Sequence, residues 1–391
     1  TIEQLVPANH LVRKLDAAID FSFIYPLVEN LYSQFGRPSI DPVVLFKMAM
    51  IQYVFGIRSM RQTIKEIETN VAYRWFLGFG FHTEVPHFST FGKNYVRRFE
   101  NTYVFEQIFY RILKEIVDEG LLSADHIFID STHVKASANK RKFDKKMVRK
   151  ETRAYEAKLQ EELNIDREKN GKKPFPKEKF EREEFKEIKE STTDPESGYY
   201  VKDERTKQFA YSFHAATDER GFVLGAIVTP GNIHDSHILQ PLVEKVIEKV
   251  KKPLAVAADA AYKTPAITNF LLENQMLPVL PYTRPKTKDG FFRKHDYVYD
   301  EHNDCYICPN DQMLPYVTTT KEGYRQFKSN PTICANCPFL QQCTESKNHT
   351  KLIQRHIWEA YVEEAEHLRH HEEIKLIYAK RKETIERVFA D

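Results

Sequence analysis

Two short apolar runs in this chain of 391 residues end on an aspartate. His126-Ile127-Phe128-Ile129-Asp130-Ser131-Thr132-His133 and Leu254-Ala255-Val256-Ala257-Ala258-Asp259-Ala260-Ala261-Tyr262 share this design but lie far apart in sequence. The β-branched, aromatic and small apolar residues suit a buried strand, and each Asp falls where that strand leaves the core. A lone Asp in such a place caps a turn. Two of them suggest a shared metal site, and both readings stay open at each position. His133, His234 and His237 lie near these motifs and are read as structural or secondary.

The five cysteines all lie between Cys305 and Cys343. Their odd number and close grouping fit a local metal site in a reducing compartment better than a disulfide framework. Cys305-x-x-Cys308 and Cys334-x-x-Cys337 match zinc-ribbon spacing, because each short turn presents two thiolates to one Zn²⁺. Four thiolates leave no open position, so the site is structural. Cys343 is either an alternative ligand or a bystander.

The third set is basic. The net charge of +2 hides local asymmetry. Lys93, Arg97 and Arg98 lie on a short helix opened by Ser89, and together with the helix after Ser59 they suit a helix-turn-helix-like DNA-binding region. The solvated face of an ordinary helical domain would look the same. The run from Lys140 to Lys150 contains Lys140, Arg141, Lys142, Lys145 and Lys146 with one acidic residue, directly after Asp130. A polyanionic substrate would need neutralising there, so DNA contact is expected.

The elements that position these groups follow from periodicity. Residues 1–118 read as all-α, with Asp41 and Pro42 starting a helix that Gly56 stops. From about 121 the pattern turns to strands. The apolar runs Phe209 to Thr217 and Phe222 to Thr229 form a β-hairpin, a helix runs from Ser236 to Val250, and Thr264-Pro265 starts another. The outcome is an α/β fold with a mixed sheet. Residues 140–190 read as a charged helical hairpin inserted into it, residues 287–354 as a Cys-rich insertion, and the C-terminus from Trp358 as one long helix carrying Glu383 and Glu386. No run of about 18 apolar residues is present and the start lacks a basic, then apolar leader. A soluble, intracellular protein without a membrane partner is expected.

In their order, Val6-Pro7-Ala8-Asn9-His10, Gly36-Arg37-Pro38-Ser39, Arg74-Trp75-Phe76-Leu77-Gly78, His87-Phe88-Ser89-Thr90-Phe91, Asp130-Ser131-Thr132, Thr193-Asp194-Pro195-Glu196, Gly231-Asn232-Ile233-His234-Asp235-Ser236 and Asp259-Ala260-Ala261-Tyr262 resemble bacterial insertion-sequence DDE transposases, most like the insertion-sequence 1182 group. The resemblance implies a ribonuclease-H-like catalytic domain made of residues 119–139, 191–286 and 355–391. It also implies a DNA-binding and dimerisation role for residues 1–118. Asp130 and Asp259 match the first two carboxylates, and Glu386 the third. Such enzymes use two Mg²⁺ ions, for which Mn²⁺ substitutes, to cleave DNA at terminal inverted repeats and join the 3′-hydroxyl to target DNA. A homodimer acting on double-stranded DNA in the bacterial cytoplasm, associated with the nucleoid, is implied. Tyr378 and Arg381 match part of a Tyr-Arg-Glu-Lys pattern, which adds Arg381 to the DNA-contacting cations. Glu386 lies one residue later than that pattern places it. The pattern's Lys would fall beyond Asp391, so a trimmed end is expected. The alternatives are a nuclease of this fold without strand transfer, and a catalytically retired, zinc-containing DNA-binding protein.

Overall fold

The computed structural model describes residues 1–33, 39–149, 155–177, 180, 185–283 and 287–389. Gly36, Arg37 and Pro38 of the second motif, and Lys150 of the basic run, lie outside the described residues. The chain divides into two compact units, Thr1–Glu119 and Gly120–Asp391.

The first unit is helical: α1 (Ile2–Leu5), α2 (Leu11–Ala18), α3 (Ile24–Val28), α4 (Pro42–Val54), α5 (Met60–Thr69), α6 (Val71–Phe76), α7 (Phe88–Asn94) and α8 (Val104–Asp118). Asp41 caps α4 by accepting from the N–H groups of Val43 at 2.7 Å and Val44 at 3.3 Å. Pro42 sits at the first helical position, where no N–H is needed. Leu45, Met48 and Ile51 recur at helical spacing and are buried with Val12, Ile24, Ile67 and Phe76. Gly56 follows with φ of 62°, a conformation that costs glycine little, and ends the run. The cap of α7 is His87 rather than Ser89, since the Ser89 N–H donates to His87 Nδ1 at 3.3 Å. That helix continues as a π-helical turn over Tyr95–Phe99.

The second unit is built on a six-stranded mixed sheet. Strand β1 (His126–Lys135) lies at its centre, between β5 (Lys207–Thr217) and β7 (Ala255–Ala257). β5 pairs antiparallel with β1, while β7 is parallel to β1 and β8 (Leu277–Val279) is parallel to β7. The far edge of β5 is shared by β4 (Gly198–Val201) and β6 (Val223–Pro230), and β5–β6 is the expected hairpin. Ile127 and Ile129 of β1 point to one face, where α10 (Leu239–Lys249) and α11 (Pro265–Glu273) bury Leu242, Val243, Val246, Ile267 and Leu271. Phe128 points to the other, against Ile374, Ile377 and Ile385. The period-2 alternation of β1 thus feeds two separate apolar layers.

Two expectations about this unit are corrected. The charged insertion is not a helical hairpin. It is a two-stranded antiparallel ribbon of β2 (Phe143–Arg149) and β3 (Phe185–Ser191), with α9 (Glu156–Lys169) between its strands in sequence. Nor is α9 free in solvent. Leu159 and Leu163 pack with Ala266 and Trp358, Lys158 Nζ donates to Asn269 Oδ1 at 2.9 Å, and Arg167 donates to the Thr319 carbonyl at 2.7 Å. Two apolar side chains one turn apart, reinforced by hydrogen bonds from cationic side chains, are enough to dock a helix whose remaining surface is charged.

The long C-terminal helix is also interrupted. It comprises α14 (Glu359–Leu368), α15 (Glu372–Ala379), a 3₁₀ turn at Lys380–Lys382 and α16 (Ile385–Val388). A first break falls at 369–371 and the last at Thr384, whose φ of −110° and ψ of −100° are not helical and whose hydroxyl donates to the Lys380 carbonyl at 2.9 Å. A side chain that bonds its own backbone competes with continued helix. The Cys-rich region is a five-stranded antiparallel sheet ordered β13-β12-β11-β10-β9: β9 (Val298–Asp300), β10 (Cys305–Ile307), β11 (Met313–Thr319), β12 (Tyr324–Lys328) and β13 (Leu352–His356). Between β12 and β13 lie the short helices α12 (Pro331–Ala335) and α13 (Leu340–Cys343).

Candidate active site

The parallel pairing of β1 with β7 aligns Phe128 with Ala257, the last residue of β7. Asp130 and Asp259 each come two residues later, so both carboxylates leave the same, C-terminal end of the pair. Ligands of open α/β sheets bind beyond that end. Asp130 does not close its strand, as the sequence suggested: β1 runs on to Lys135, with Asp130 opposite Ala215 of β5. What ends after Phe128 is the pairing with β7, which leaves β1 open on one side. Asp259 is a cap in the literal sense, because its side chain accepts from the Ala261 N–H at 2.9 Å at the head of a 3₁₀ turn.

Asp130 points to the Phe128 face. Its Oδ1 accepts from the Ser131 N–H at 2.8 Å, and its Oδ2 accepts from Arg381 Nη2 at 2.8 Å. Burial raises its carboxyl above the ordinary range, the Ser131 hydrogen bond and the Arg381 charge pull it back, and the charges of Asp259 and Glu386 raise it further. A charge raises a neighbouring carboxyl only at short range, so Asp259 and Glu386 both lie near Asp130. Glu386 is exposed in the first turn of α16, next to Ile385, which is buried against Phe128. Sequence could not separate Glu386 from Glu383; the charge that acts on Asp130 is that of Glu386. A set of carboxylate oxygens suits a hard divalent cation. Among the described residues, however, no three His, Cys, Asp or Glu side chains form a ready ligand group, and one Asp130 oxygen is held by Arg381.

The opposite face of β1 has a polar layer that sequence reading passed over. His214, aligned with Ser131, is fully buried, with Nε2 3.1 Å from Thr229 Oγ1 and Nδ1 3.8 Å from Asp235 Oδ1. His133 stacks on Tyr200 with ring centroids 3.7 Å apart. Burial lowers the pKa of both imidazoles against the pull of Asp235. Tyr262 is buried here too, and burial holds its phenol protonated. Asp235 and Tyr262 stand in motifs visible in the sequence, whereas His214 had only its position on an apolar strand. His234 has a structural part, since its Nδ1 accepts from the Ser236 N–H at 3.2 Å.

The basic residues differ in exposure and in what they contact. Lys93 and Arg97 are exposed, as are Lys140, Arg141 and Lys142. Arg98 is turned inward, with Nε donating to the Leu31 carbonyl at 3.1 Å and the guanidinium 4.5 Å from the Tyr32 ring centre. Lys145 and Lys146 pair across the ribbon with Glu187 at 3.0 Å and Glu190 at 2.9 Å. Arg381, expected to contact DNA, is buried and committed to Asp130.

The cysteines do not assort as their spacing suggested. All five are free thiols. Cys305 is buried in β10, while Cys308, Cys334, Cys337 and Cys343 line one cavity of about 30 Å³.

Two family models match the chain. Residues 1–97 match a transposase domain (DUF772), and residues 307–391, which include Glu386, match a transposase DDE domain. No curated protein matches, and no solved structure does. No helix among the described residues is long and apolar enough to cross a membrane. Transposase family models thus match both the helical unit and the C-terminal part of the chain.

Proposed function

We propose that the protein is a DNA transposase that binds the terminal repeats of an insertion sequence of the 1182 type, hydrolyses a phosphodiester at the element's end and joins the freed 3′-hydroxyl to target DNA. The observation that carries this is the emergence of Asp130 and Asp259 side by side from a parallel strand pair, with the charge of Glu386 acting on Asp130. The strand order supports a ribonuclease-H-like reading of the second unit, because an antiparallel meander, β1-β5-β6, is extended by two parallel strands, β7 and β8. Asp130, Asp259 and Glu386 would hold the divalent ions, normally Mg²⁺. When bound, such ions stabilise charge on phosphoryl oxygens and make water nucleophilic at neutral pH.

The chain's own side chains do the rest. Exposed Lys93 and Arg97 in the helical unit, and Lys140, Arg141 and Lys142 beside the ribbon, are assigned to the phosphate backbone, where each neutralised phosphate adds affinity and salt dependence. Two copies acting on paired ends, in the bacterial cytoplasm, complete the reading. It is tested by incubating the full chain with end-containing duplex DNA, target DNA and Mg²⁺. Joined products support it. Cleavage alone reduces the protein to a nuclease, and binding alone to a retired DNA-binding protein.

A further inference from the structure

We infer that Cys308, Cys334, Cys337 and Cys343 form a structural site for one Zn²⁺, and that Cys305 takes no part in it. This goes beyond the transposase reading and does not depend on it. The C-x-x-C spacing of Cys305 and Cys308 is misleading, because the segment is a strand rather than a knuckle. Cys305 is aligned with Asp300 of β9 and Pro315 of β11. Pairing continues to Cys308, whose N–H donates to the Gln312 carbonyl at 2.9 Å before the chain turns at Asp311, with φ of 52°. On an extended strand, side chains three residues apart point to opposite faces. Cys305 is accordingly buried in the sheet and is not among the residues that line the cavity with Cys308.

The second pair does form a knuckle. The Cys337 N–H donates to the Cys334 carbonyl at 3.1 Å, and the Leu340 N–H to the Cys337 carbonyl at 3.1 Å. These tight turns carry Cys334, Cys337 and, at the end of α13, Cys343 to one side, where they share a cavity with Cys308. Its volume of about 30 Å³ exceeds what one water needs and suits one ion. Four thiolates around Zn²⁺ leave a net charge of −2. Lys351 lines the cavity and donates to the Cys343 carbonyl at 2.9 Å, which places an ammonium where that charge would develop. Tyr297 Oη lies 3.2 Å from Cys343 Sγ, a phenol positioned to hydrogen-bond a ligand sulfur. The transposase DDE match begins at residue 307 and so takes in these four cysteines and leaves out Cys305.

Binding replaces four thiol protons with four Zn–S bonds, with no redox change. Among the described residues no three such side chains already form a ligand group, so binding would require the four thiols to close on the ion, coupling metal binding to local folding. The test is Zn²⁺ content, together with Co²⁺ titration of the metal-stripped full chain, read by the sulfur-to-cobalt charge-transfer band. One ion per chain is expected. Cys305→Ser should leave stoichiometry and spectrum unchanged, whereas Cys308→Ser and Cys343→Ser should remove about a quarter of the band and weaken binding by more than about tenfold. Because a serine variant can fail to fold, Cys343→His provides the second arm: it should keep one ion, with the spectrum of three sulfurs and one nitrogen. No ion in the wild type, or a loss in Cys305→Ser equal to that in Cys343→Ser, overturns the assignment. Metal content is read without DNA, so this result stands apart from whether the chain joins DNA ends.

Discussion

Arg381 Nη2 donates to Asp130 Oδ2 at 2.8 Å across 251 residues of sequence, and the arginine is only 5% exposed. The guanidinium therefore holds the C-terminal 3₁₀ turn against the central strand as well as neutralising the carboxylate. Removing one partner of a buried pair leaves the other charged and unpaired, at a cost of ~3–5 kcal/mol. Arg381→Ala should cost about 3 kcal/mol, near the lower end because the Asp130 side chain keeps 22% of its exposure. Urea unfolding without divalent ions measures this. The deficit should shrink in acid, since an unpaired Asp130, already raised by burial, sheds its charge as pH falls. A loss below about 1 kcal/mol would mean that the pair does not hold the C-terminus in place.

The site assignment makes a sharper demand. Asp130→Asn, Asp259→Asn and Glu386→Gln should each remove several kcal/mol of charge stabilisation, a loss of about a thousandfold or more in cleavage. Binding to end DNA should be nearly unchanged. Glu383→Gln, immediately before the break at Thr384, serves as the control and should retain cleavage. If Glu383→Gln is inactive and Glu386→Gln active, the third carboxylate has been misassigned.

How far this site could be read from sequence depended on what each signal measures. Apolar alternation reports burial, so the Ile127-Phe128-Ile129 run and the β5–β6 hairpin were legible. It does not report pairing, which is why the sequence pattern places the end of β1 at Asp130 although the strand stays bonded to β5 as far as Lys135. The Cys305–Cys308 spacing has the same ambiguity, because two intervening residues fit a knuckle or a strand equally well. The ribbon was missed because Lys145, Lys146, Glu187 and Glu190 satisfy one another across strands, a pairing that looks in sequence like helical Glu/Lys alternation. The break at Thr384 depends on one side-chain hydrogen bond, and no composition signal marks it.

Burial lowers the pKa of His356 from 6.5 to about 4. The imidazole is 6% exposed and accepts from the Trp358 N–H at 3.1 Å, so the folded state needs it neutral. Because the folded value lies below the unfolded one, the stability it contributes is complete above about pH 6.5 and is lost as pH falls toward 4. Over that window the loss is roughly 3 kcal/mol. His356→Gln should flatten this part of the pH dependence of unfolding, measured from pH 4 to 7. A variant that loses stability in parallel with wild type would show that other groups control the acid limb.

The ribbon offers a test that depends on charge pairing rather than charge count. Lys140, Arg141 and Lys142 are exposed ahead of β2, whereas Lys145 and Lys146 already face Glu187 and Glu190. A cation that contacts phosphate contributes about 0.9 to the slope of log K against log salt. Replacing Lys140, Arg141 and Lys142 together with Ala should therefore reduce the slope for end DNA by about 2.7, as followed by fluorescence anisotropy between about 50 and 200 mM salt. The Lys145→Ala, Lys146→Ala double variant frees two glutamates as it removes two cations, and should change that slope by less than about 1 if the pairs persist on DNA. The opposite ranking would mean that DNA breaks the cross-strand pairs and takes Lys145 and Lys146 for itself, so that the face of the ribbon, rather than the turn before it, forms the DNA surface.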